Sequence, residues 1–267
     1  HSLISGFTGQ LFALKRRSGS SFKRIRERPN LFITTMGLIR FLLAFSVVGD
    51  HTNAFQPLKF VGGELAVQAF FLISGFYMAL IVNNYQTKRQ FWISRYLRLY
   101  PTYIACVLLT LLLAQGLHSY LEKIKQLPIA AILFLGFTNL TIFFQDVTMF
   151  LGVSGTDIFF TKNFADSVPP LYTLLLVPQG WSLGLEIAFY ILVPFLLNRS
   201  SLVIGAVALI SLFLRGLINY YCCSADPWSY RFFPTELCIF ILGSLAFKWN
   251  LFNKSKHQRI APKLLYS

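Results

Sequence analysis

Charged residues are scarce in this chain. Asp, Glu, Lys and Arg make up 13% of its 267 residues, about half the share expected of a soluble domain. Hydrophobic residues account for 55% and aromatic residues for 16%, with 28 Phe among them. This composition argues against an ordinary soluble domain and predicts a protein of the lipid bilayer.

Acidic residues are scarcer still, since 10 Asp and Glu stand against 24 Lys and Arg. The basic residues concentrate in three clusters between apolar blocks, at residues 14–28, 87–98 and 248–259. Such clusters are more typical of the cytoplasmic loops of membrane proteins than of nucleic-acid binding. We therefore predict membrane lipids as partners and no nucleic acid.

Paired cysteines are also missing. Cys106, Cys222, Cys223 and Cys238 show no CxxC or metal-ligand spacing. A bridge between the adjacent Cys222 and Cys223 would be strained. We predict neither redox chemistry nor a metal site.

The first residues lack the apolar core and cleavage site of a secretory signal peptide, so we predict no removable targeting segment. The chain opens on His1 rather than Met, which suggests a processed or partial product. No internal repeat and no long linker divides the sequence. We therefore expect one helical membrane unit.

Six apolar windows are long enough to cross the hydrocarbon core, which takes roughly 20 helical residues. They lie near residues 31–49, 61–82, 99–117, 180–198, 201–221 and 233–249. A seventh apolar stretch, 127–145, is ambiguous. We favour a re-entrant or half-inserted element there, which residues 171–178 could complete. The predicted fold is all-α, a polytopic transmembrane bundle of six to seven apolar segments.

The positive-inside rule places the N-terminal basic cluster, the 87–98 loop and the C-terminal tail in the cytoplasm. Both termini are then cytoplasmic. The predicted organisation is a basic cytoplasmic segment over residues 1–30, a transmembrane domain over residues 31–249 and a basic cytoplasmic tail over residues 250–267.

Arg40 and His51 lie eleven residues apart in the first apolar window. This is close to three helical turns, so both side chains share one stripe, about 16 Å apart along the axis. Arg40 is too central to snorkel easily, which favours a water-filled cavity or a buried partner. The alternative is that Arg40 does snorkel and His51 merely ends the helix.

The second window places Glu64 and Gln68 on one helical face, with Ser74 and Gly75 deeper. Glu64, near the outer end, could orient His51 or pair with Lys59. Small residues such as Ser74 and Gly75 indicate close helix packing more often than substrate contact.

Arg95 and Arg98 lie three residues apart on one helical face at the cytoplasmic entrance to the third window. Two converging guanidiniums would form a good phosphate site. The alternative is a positive-inside anchor beside lipid headgroups.

The stretch "QGWSLGLEIAFY" places Ser182 and Glu186 on one helical face, with Trp181 at the external boundary. A carboxylate one turn into an apolar helix is costly without a partner. Arg40 or His51 could be that partner, and an ion pair that only holds the bundle together is the alternative.

In order along the chain, these four stretches resemble the acyltransferase-three family of integral-membrane O-acyltransferases. Its Arg-x10-His pattern is matched by Arg40 and His51, and its FF-x-x-SGF pattern by Phe70, Phe71, Ser74, Gly75 and Phe76. Its R-x-x-R-x-x-P pattern is matched by Arg95, Arg98 and Pro101. Its WSL-x-x-E-x-x-FY pattern is matched by Trp181, Ser182, Leu183, Glu186, Phe189 and Tyr190. Many members carry a second polar residue where this chain has Ile187. Members also have more spans than this chain, so we expect the last helices to be missing.

The resemblance implies transfer of an acyl group, most often acetyl from acetyl-CoA, to a hydroxyl of a cell-surface glycan or a lipid-linked sugar. Acyl-CoA is then a donor substrate, with no tightly bound cofactor, and the bacterial plasma membrane is the expected location. Arg95 and Arg98 would hold the phosphates of CoA, while Arg40 would line the route or pair with Glu186.

The imidazole of His51 can accept a hydroxyl proton around neutral pH, so we predict it as the general base. A covalent acyl-histidine relay is a less supported variant. Trp181, Ser182 and Glu64 are the candidates for substrate binding.

Two other functions use the same residue types. A transporter or flippase of glycan precursors would also carry intramembrane Arg, Glu and His, although such proteins more often show paired halves and discontinuous helices. A noncatalytic scaffold or degenerate fragment would keep the family residues without the chemistry.

Overall fold

A computed structural model of the chain describes residues 29–51, 61–221 and 226–260. The helices are α1 (Pro29–His51), α2 (Gly63–Ile81), α3 (Lys88–Leu109), α4 (Leu117–Ile124), α5 (Ile129–Thr141), α6 (Trp181–Leu196), α7 (Ser201–Tyr221) and α8 (Phe233–Ile260). The strands are β1 (Leu151–Ser154) and β2 (Asp157–Phe160). The helix α3 runs on into a π-helical turn, Thr110–Gln115.

The chain divides into two compact units, residues 1–66 and residues 67–267. The first unit contains α1 and the first turn of α2. The second contains the other elements, including most of the residues that resemble the acyltransferase motifs.

Within the described part of the chain, four helical segments are long and apolar enough to cross a membrane. They are Gly63–Asn84, Lys88–Leu113, Pro178–Leu196 and Ser201–Tyr221. Their outer faces carry large apolar side chains in the open, such as Leu113 at 81% and Leu202 at 86% exposure. A helical membrane protein is therefore confirmed, while the number of crossings and the side of the termini stay predictions.

Residues 127–145 form a helix too short to cross alone. At 1.5 Å per residue, the 13 residues of α5 span roughly 20 Å, against a hydrocarbon core of about 30 Å. The helix stops where Ile142 and Phe144 take left-handed backbone conformations. Residues 171–178 contain a 3-10 turn, Leu171–Leu174, rather than a helix that could complete a span. The length of α5 fits a half-inserted element, and its depth in the membrane stays a prediction.

The hairpin β1–β2 is the exception to the all-α prediction. Its strands are antiparallel, with Leu151 opposite Phe160 and Ser154 opposite Asp157. The turn needs Gly155, which has a φ of 56°. Because lipid-exposed edges of a two-stranded sheet are not tolerated in hydrocarbon, we predict that the hairpin lies outside the lipid core.

Aromatic residues attach this hairpin to the loop before α8. The ring of Trp228 lies 4.9 Å from that of Phe150 and 6.0 Å from that of Phe160. The Trp228 indole also donates a hydrogen bond of 2.8 Å to the Lys162 carbonyl. We call residues 142–180 and 226–232 the cap, because they cover the N-terminal end of α6.

The helices α2 and α8 touch backbone to backbone. A Cβ atom on Gly75 would lie 1.8 Å from the Phe240 carbonyl oxygen, and one on Gly243 would lie 1.9 Å from that of Leu72. Ser244 Oγ donates a 2.8 Å hydrogen bond to the Gly75 carbonyl. The predicted role of Gly75 in close helix packing is confirmed.

A buried ion pair links α7 and α8. Arg215 Nη1 lies 2.6 Å from Glu236 Oε1, and the Glu236 side chain is fully buried. Ser211 adds a second connection, since its hydroxyl donates to the Pro234 carbonyl at 2.6 Å and accepts from the Cys238 amide at 2.9 Å. This polar seam fixes α7 against α8.

Candidate active site

Two hydroxyl groups hold one oxygen of the Glu186 carboxylate. Ser74 Oγ and Tyr190 OH each donate to Glu186 Oε1 at 2.5 Å. The two hydroxyl oxygens lie 3.5 Å apart. Glu186 and Tyr190 share a face of α6 because they are four residues apart, whereas Ser74 reaches them from α2. Among the described residues, nothing donates a hydrogen bond to the second oxygen, Oε2.

Aromatic side chains surround this cluster. Phe240 stacks on Phe71 at 4.6 Å and on Phe189 at 4.2 Å, and Ser74 is only 1% exposed. In such a low-dielectric setting, short hydrogen bonds to a carboxylate are stronger than in water. The serine that the sequence analysis attributed to helix packing therefore contacts the carboxylate of another family motif.

The Arg95 guanidinium is buried near the start of α3. Its Nη2 donates to Tyr85 OH at 2.7 Å and to Ser94 Oγ at 3.1 Å. Its Nε atom is also buried, and no acceptor for it is found within the described residues. Tyr85 and Ser94 also bond each other at 3.0 Å, so the guanidinium is held in a fixed position.

The Arg98 side chain is exposed, and its guanidinium lies 5.6 Å above the Tyr77 ring. Within the described part of the chain, neither Arg98 nor Arg95 pairs with a carboxylate. Two neighbouring guanidiniums without acidic partners favour binding of an anion.

Aromatic side chains connect the arginines to the carboxylate cluster. Arg98 lies over the ring of Tyr77, which is three residues from Ser74 on α2. On the other side, the Tyr85 ring lies 5.4 Å from Phe91, which lies 6.4 Å from Tyr190. The predicted phosphate-binding residues and Glu186 therefore belong to one region of the second unit.

The first unit holds Arg40, His51 and Glu64. The Arg40 side chain is half-buried, whereas His51 and Glu64 are exposed. Ser46 Oγ accepts a hydrogen bond from the Val61 amide at 3.3 Å, which ties α1 to the start of α2. Lys59, the expected partner of Glu64, lies outside the described residues, as do Cys222 and Cys223.

Trp181 is buried beneath a cation. The Arg231 guanidinium lies 4.5 Å above its ring and is held by Asp226 through bonds of 2.6 and 2.9 Å. Ser182, one residue on, is half-buried, and its hydroxyl donates to the Gln179 carbonyl at 3.2 Å. The sequence analysis missed Arg231, because nothing local places this cation over the WSL motif.

Asp146 is a second functional candidate that the sequence analysis missed. It packs against α6 where a Cβ atom on Gly184 would lie only 2.8 Å from its Oδ1. Burial raises the pKa of Asp146 to about 6, although hydrogen bonds from its own amide and that of Val147 oppose the shift. The signal in the sequence was a glycine inside the WSL motif, which leaves room for a neighbour.

The preceding residue, Gln145, is fully buried. Its Nε2 donates to Tyr103 OH at 2.5 Å and to the Thr138 carbonyl at 3.3 Å. A Cβ atom on Gly180 would lie 2.1 Å from its Oε1. The absence of a side chain at Gly180 and Gly184 therefore leaves room for Gln145 and Asp146, two consecutive cap residues whose side chains pack against the first turns of α6.

Comparison with known proteins gives one family. The family model described as an acyltransferase domain matches residues 33–267. The O-acetyltransferase OatA of Staphylococcus aureus strains NCTC 8325 / PS 47, COL and MRSA252 is in each case 32% identical over 246 residues, covering 85% of this chain. The chain spans 36% of the length of these relatives. No solved structure matches the chain. Because the family model covers all four motifs and most of the sequence, the chain belongs to the acyltransferase-three family.

Proposed function

We propose that the chain is a membrane-bound O-acyltransferase of the bacterial plasma membrane. It moves an acetyl group from acetyl-CoA to a hydroxyl of a cell-surface glycan or a lipid-linked saccharide. The observation that carries the proposal is the Ser74–Glu186–Tyr190 cluster, which joins two family motifs in the unit that also holds Arg95 and Arg98. The name of the S. aureus relatives, O-acetyltransferase, supports acetyl as the acyl group.

The donor binds through its phosphates. The Arg95 guanidinium is already oriented by its hydrogen bonds to Tyr85 and Ser94. The Arg98 side chain is exposed and can bind a phosphate that approaches from outside. Oriented guanidiniums bind phosphates in bidentate geometry. The positive-inside rule places this end of α3 in the cytoplasm, where acetyl-CoA is available, and the thioester arm extends toward Glu186.

The acceptor hydroxyl must lose a proton while its oxygen attacks the acyl carbon. His51 is the general base for this step, because an imidazole nitrogen can accept the proton of a hydroxyl. The Glu186 carboxylate and the Arg40 guanidinium are the other two candidate catalytic groups. Trp181, Ser182 and Glu64 are the candidates for contact with the acceptor.

The test uses membranes that contain the chain, labelled acetyl-CoA and a surface glycan as acceptor. We expect labelled acetyl esters on the glycan and a loss of at least about 100-fold in rate for Glu186→Gln. The matched control is Glu122→Gln, which removes an exposed carboxylate from α4. Movement of glycan without acetylation would favour a transporter, and full activity of Glu186→Gln would contradict the proposed role of the cluster.

A further inference from the structure

Ser74 has the surroundings of an activated nucleophile. Its hydroxyl donates a 2.5 Å hydrogen bond to Glu186 Oε1. The same oxygen accepts from Tyr190 OH at 2.5 Å, so a third group orients the carboxylate. A nucleophile, a base within hydrogen-bond reach and a group that orients the base together form the arrangement used in covalent catalysis.

Ser74 also lies near the middle of its helix. It follows Gly63, the first residue of α2, by eleven residues and precedes the last, Ile81, by seven. At 1.5 Å per residue these separations are about 16 and 10 Å. A helix that crosses a core of about 30 Å therefore holds this hydroxyl at intermediate depth, between a donor on one side and an acceptor on the other.

We propose that Ser74 carries the acyl group between donor and acceptor as an acyl-serine ester. This inference rests on the proposed acyltransferase function and specifies its chemistry. Ser74 Oγ attacks the thioester carbon of acetyl-CoA, so that a C–O bond forms and the C–S bond breaks. The hydroxyl proton passes to Glu186 Oε1 and then to the thiolate, which leaves as CoA-SH.

The second half-reaction reverses the roles. A glycan hydroxyl attacks the carbon of the acyl-serine ester, a new C–O bond forms and the bond to Ser74 Oγ breaks. The general base takes up the proton of the glycan hydroxyl, and this proton passes through Glu186 to Ser74 Oγ, so the base and the carboxylate end as they began. No oxidant, reductant or further reactant is needed.

Burial suits such an intermediate. Ser74 is 1% exposed and lies one turn from Phe71, whose ring stacks on Phe240. The neighbouring Gly75 touches the Phe240 backbone, so α2 cannot shift easily to admit water beside the ester. Exclusion of water protects a reactive acyl group from hydrolysis.

A covalent relay predicts a partial reaction that direct transfer does not. With acetyl-CoA, labelled CoA and no acceptor, the enzyme should exchange label into acetyl-CoA through reversible acylation of Ser74. We expect exchange in the unaltered chain and a loss of at least about 100-fold in Ser74→Ala. The matched control is Ser244→Ala, because Ser244 is a buried serine whose hydroxyl donates only to carbonyl oxygens.

The variant Ser74→Cys covers the possibility that Ser74→Ala fails to fold. The thiol keeps a nucleophile at position 74 and should trap labelled acetyl as a thioester on the peptide that contains this position, released by hydroxylamine. Label found elsewhere, or none on the protein, would overturn the relay. His51→Ala provides a further distinction, since loss of exchange there with retention in Ser74→Ala would assign the acyl group to the imidazole.

The remaining outcomes separate the relay from the acyltransferase function. Acetylation of glycan by the unaltered chain without any exchange, or exchange by Ser74→Ala at the rate of the unaltered chain, would overturn the relay and leave acyl transfer intact. If the unaltered chain neither acetylates glycan nor exchanges CoA, the proposed function fails and the relay fails with it.

Discussion

Glu186 and Glu236 are carboxylates in apolar helices of the same unit, yet they are stabilised in different ways. Glu236 is fully buried and pairs with the opposite charge of Arg215. Glu186 is half-buried and is held by two neutral hydroxyls rather than by a cation. A carboxylate in an ion pair suits a structural connection, whereas a carboxylate that hydroxyls orient, with a second oxygen that accepts no hydrogen bond from the described residues, suits chemistry. The two sites should therefore respond oppositely to mutation.

The largest expected effect is on stability at the Arg215–Glu236 pair. Glu236→Gln leaves the partly buried Arg215 guanidinium without its carboxylate, so we expect the free energy of unfolding to fall by about 3 kcal/mol. Thermal unfolding of the detergent-solubilised chain measures this loss. Acetyl transfer per folded molecule should stay within about twofold of the unaltered chain.

The exposed pair of Glu122 and Lys125 is the control for this change. Its atoms lie 2.6 Å apart but both side chains are more than half exposed, so Glu122→Gln should cost less than about 0.5 kcal/mol. Equal destabilisation by the two substitutions would show that the buried pair does not fix α7 against α8.

The apolar helices were predictable because hydropathy is local. The window at residues 201–221 coincides with α7, and the window at 180–198 contains α6. A run of apolar residues of this length has few stable alternatives to a helix in lipid, whatever the rest of the chain does. Hydropathy alone left residues 127–145 ambiguous, and a re-entrant or half-inserted element was only the favoured interpretation there.

The polar contacts were not predictable because they join residues distant in sequence. Ser74 and Glu186 are 112 residues apart, and no spacing rule pairs them. Arg215 and Glu236 could have been found as charges inside apolar windows, which always require a partner. Asp146 and the hairpin were not predictable because they belong to a loop whose conformation depends on contacts with Trp228, Gly180 and Gly184.

The next largest effect is expected at Tyr190, on activity rather than stability. Tyr190→Phe removes one of the two hydrogen bonds that orient Glu186, and a hydrogen bond to a charged group is worth about 1.5–3 kcal/mol. We therefore expect the acetyl-transfer rate to fall about 10- to 100-fold with little change in unfolding temperature.

Tyr120→Phe is the matched control for Tyr190→Phe. Tyr120 is also buried, but its hydroxyl donates to the Leu174 carbonyl at 3.1 Å and touches no carboxylate. A similar loss of rate in both variants would mean that the effect comes from general loosening of the fold rather than from the orientation of Glu186.

A smaller effect is expected at Arg98, on donor affinity. Arg98→Gln removes an exposed guanidinium that has no carboxylate partner in the described residues. We expect the KM for acetyl-CoA to rise about tenfold with kcat nearly unchanged, as for lost ground-state binding. Steady-state kinetics with acetyl-CoA and with its 3′-dephospho analogue measures which phosphate is involved.

Arg89→Gln is the control for Arg98, since Arg89 is an exposed cation on the first turn of the same helix and lies outside the family motif. A rise in KM of the same size in both variants would indicate a diffuse positive charge rather than a phosphate site. Such a result would support the lipid-headgroup alternative for this end of α3.

The smallest expected effect concerns Asp146 and pH. Burial raises the pKa of Asp146 from 3.8 to about 6, so folding favours its protonated form. The stability that this group contributes is complete below about pH 4 and is lost as the pH rises through about 6. Asp146→Asn resembles the protonated side chain and should keep that contribution. We expect the variant to exceed the unaltered chain in free energy of unfolding by on the order of 1 kcal/mol above pH 6, and by nothing near pH 4.

Thermal unfolding of both proteins from about pH 4 to pH 8 measures this difference, with Asp166→Asn as the control because Asp166 is an exposed carboxylate of the same cap. A difference that stays constant with pH would mean that Asp146 is already ionised throughout this range in the folded chain.

Because Asp146 contacts Gly184 in the WSL motif, acetyl transfer measured over the same pH series tests whether the charge of Asp146 affects Glu186. A shift in the pH profile of activity in Asp146→Asn, absent in Asp166→Asn, would connect the cap to the carboxylate cluster.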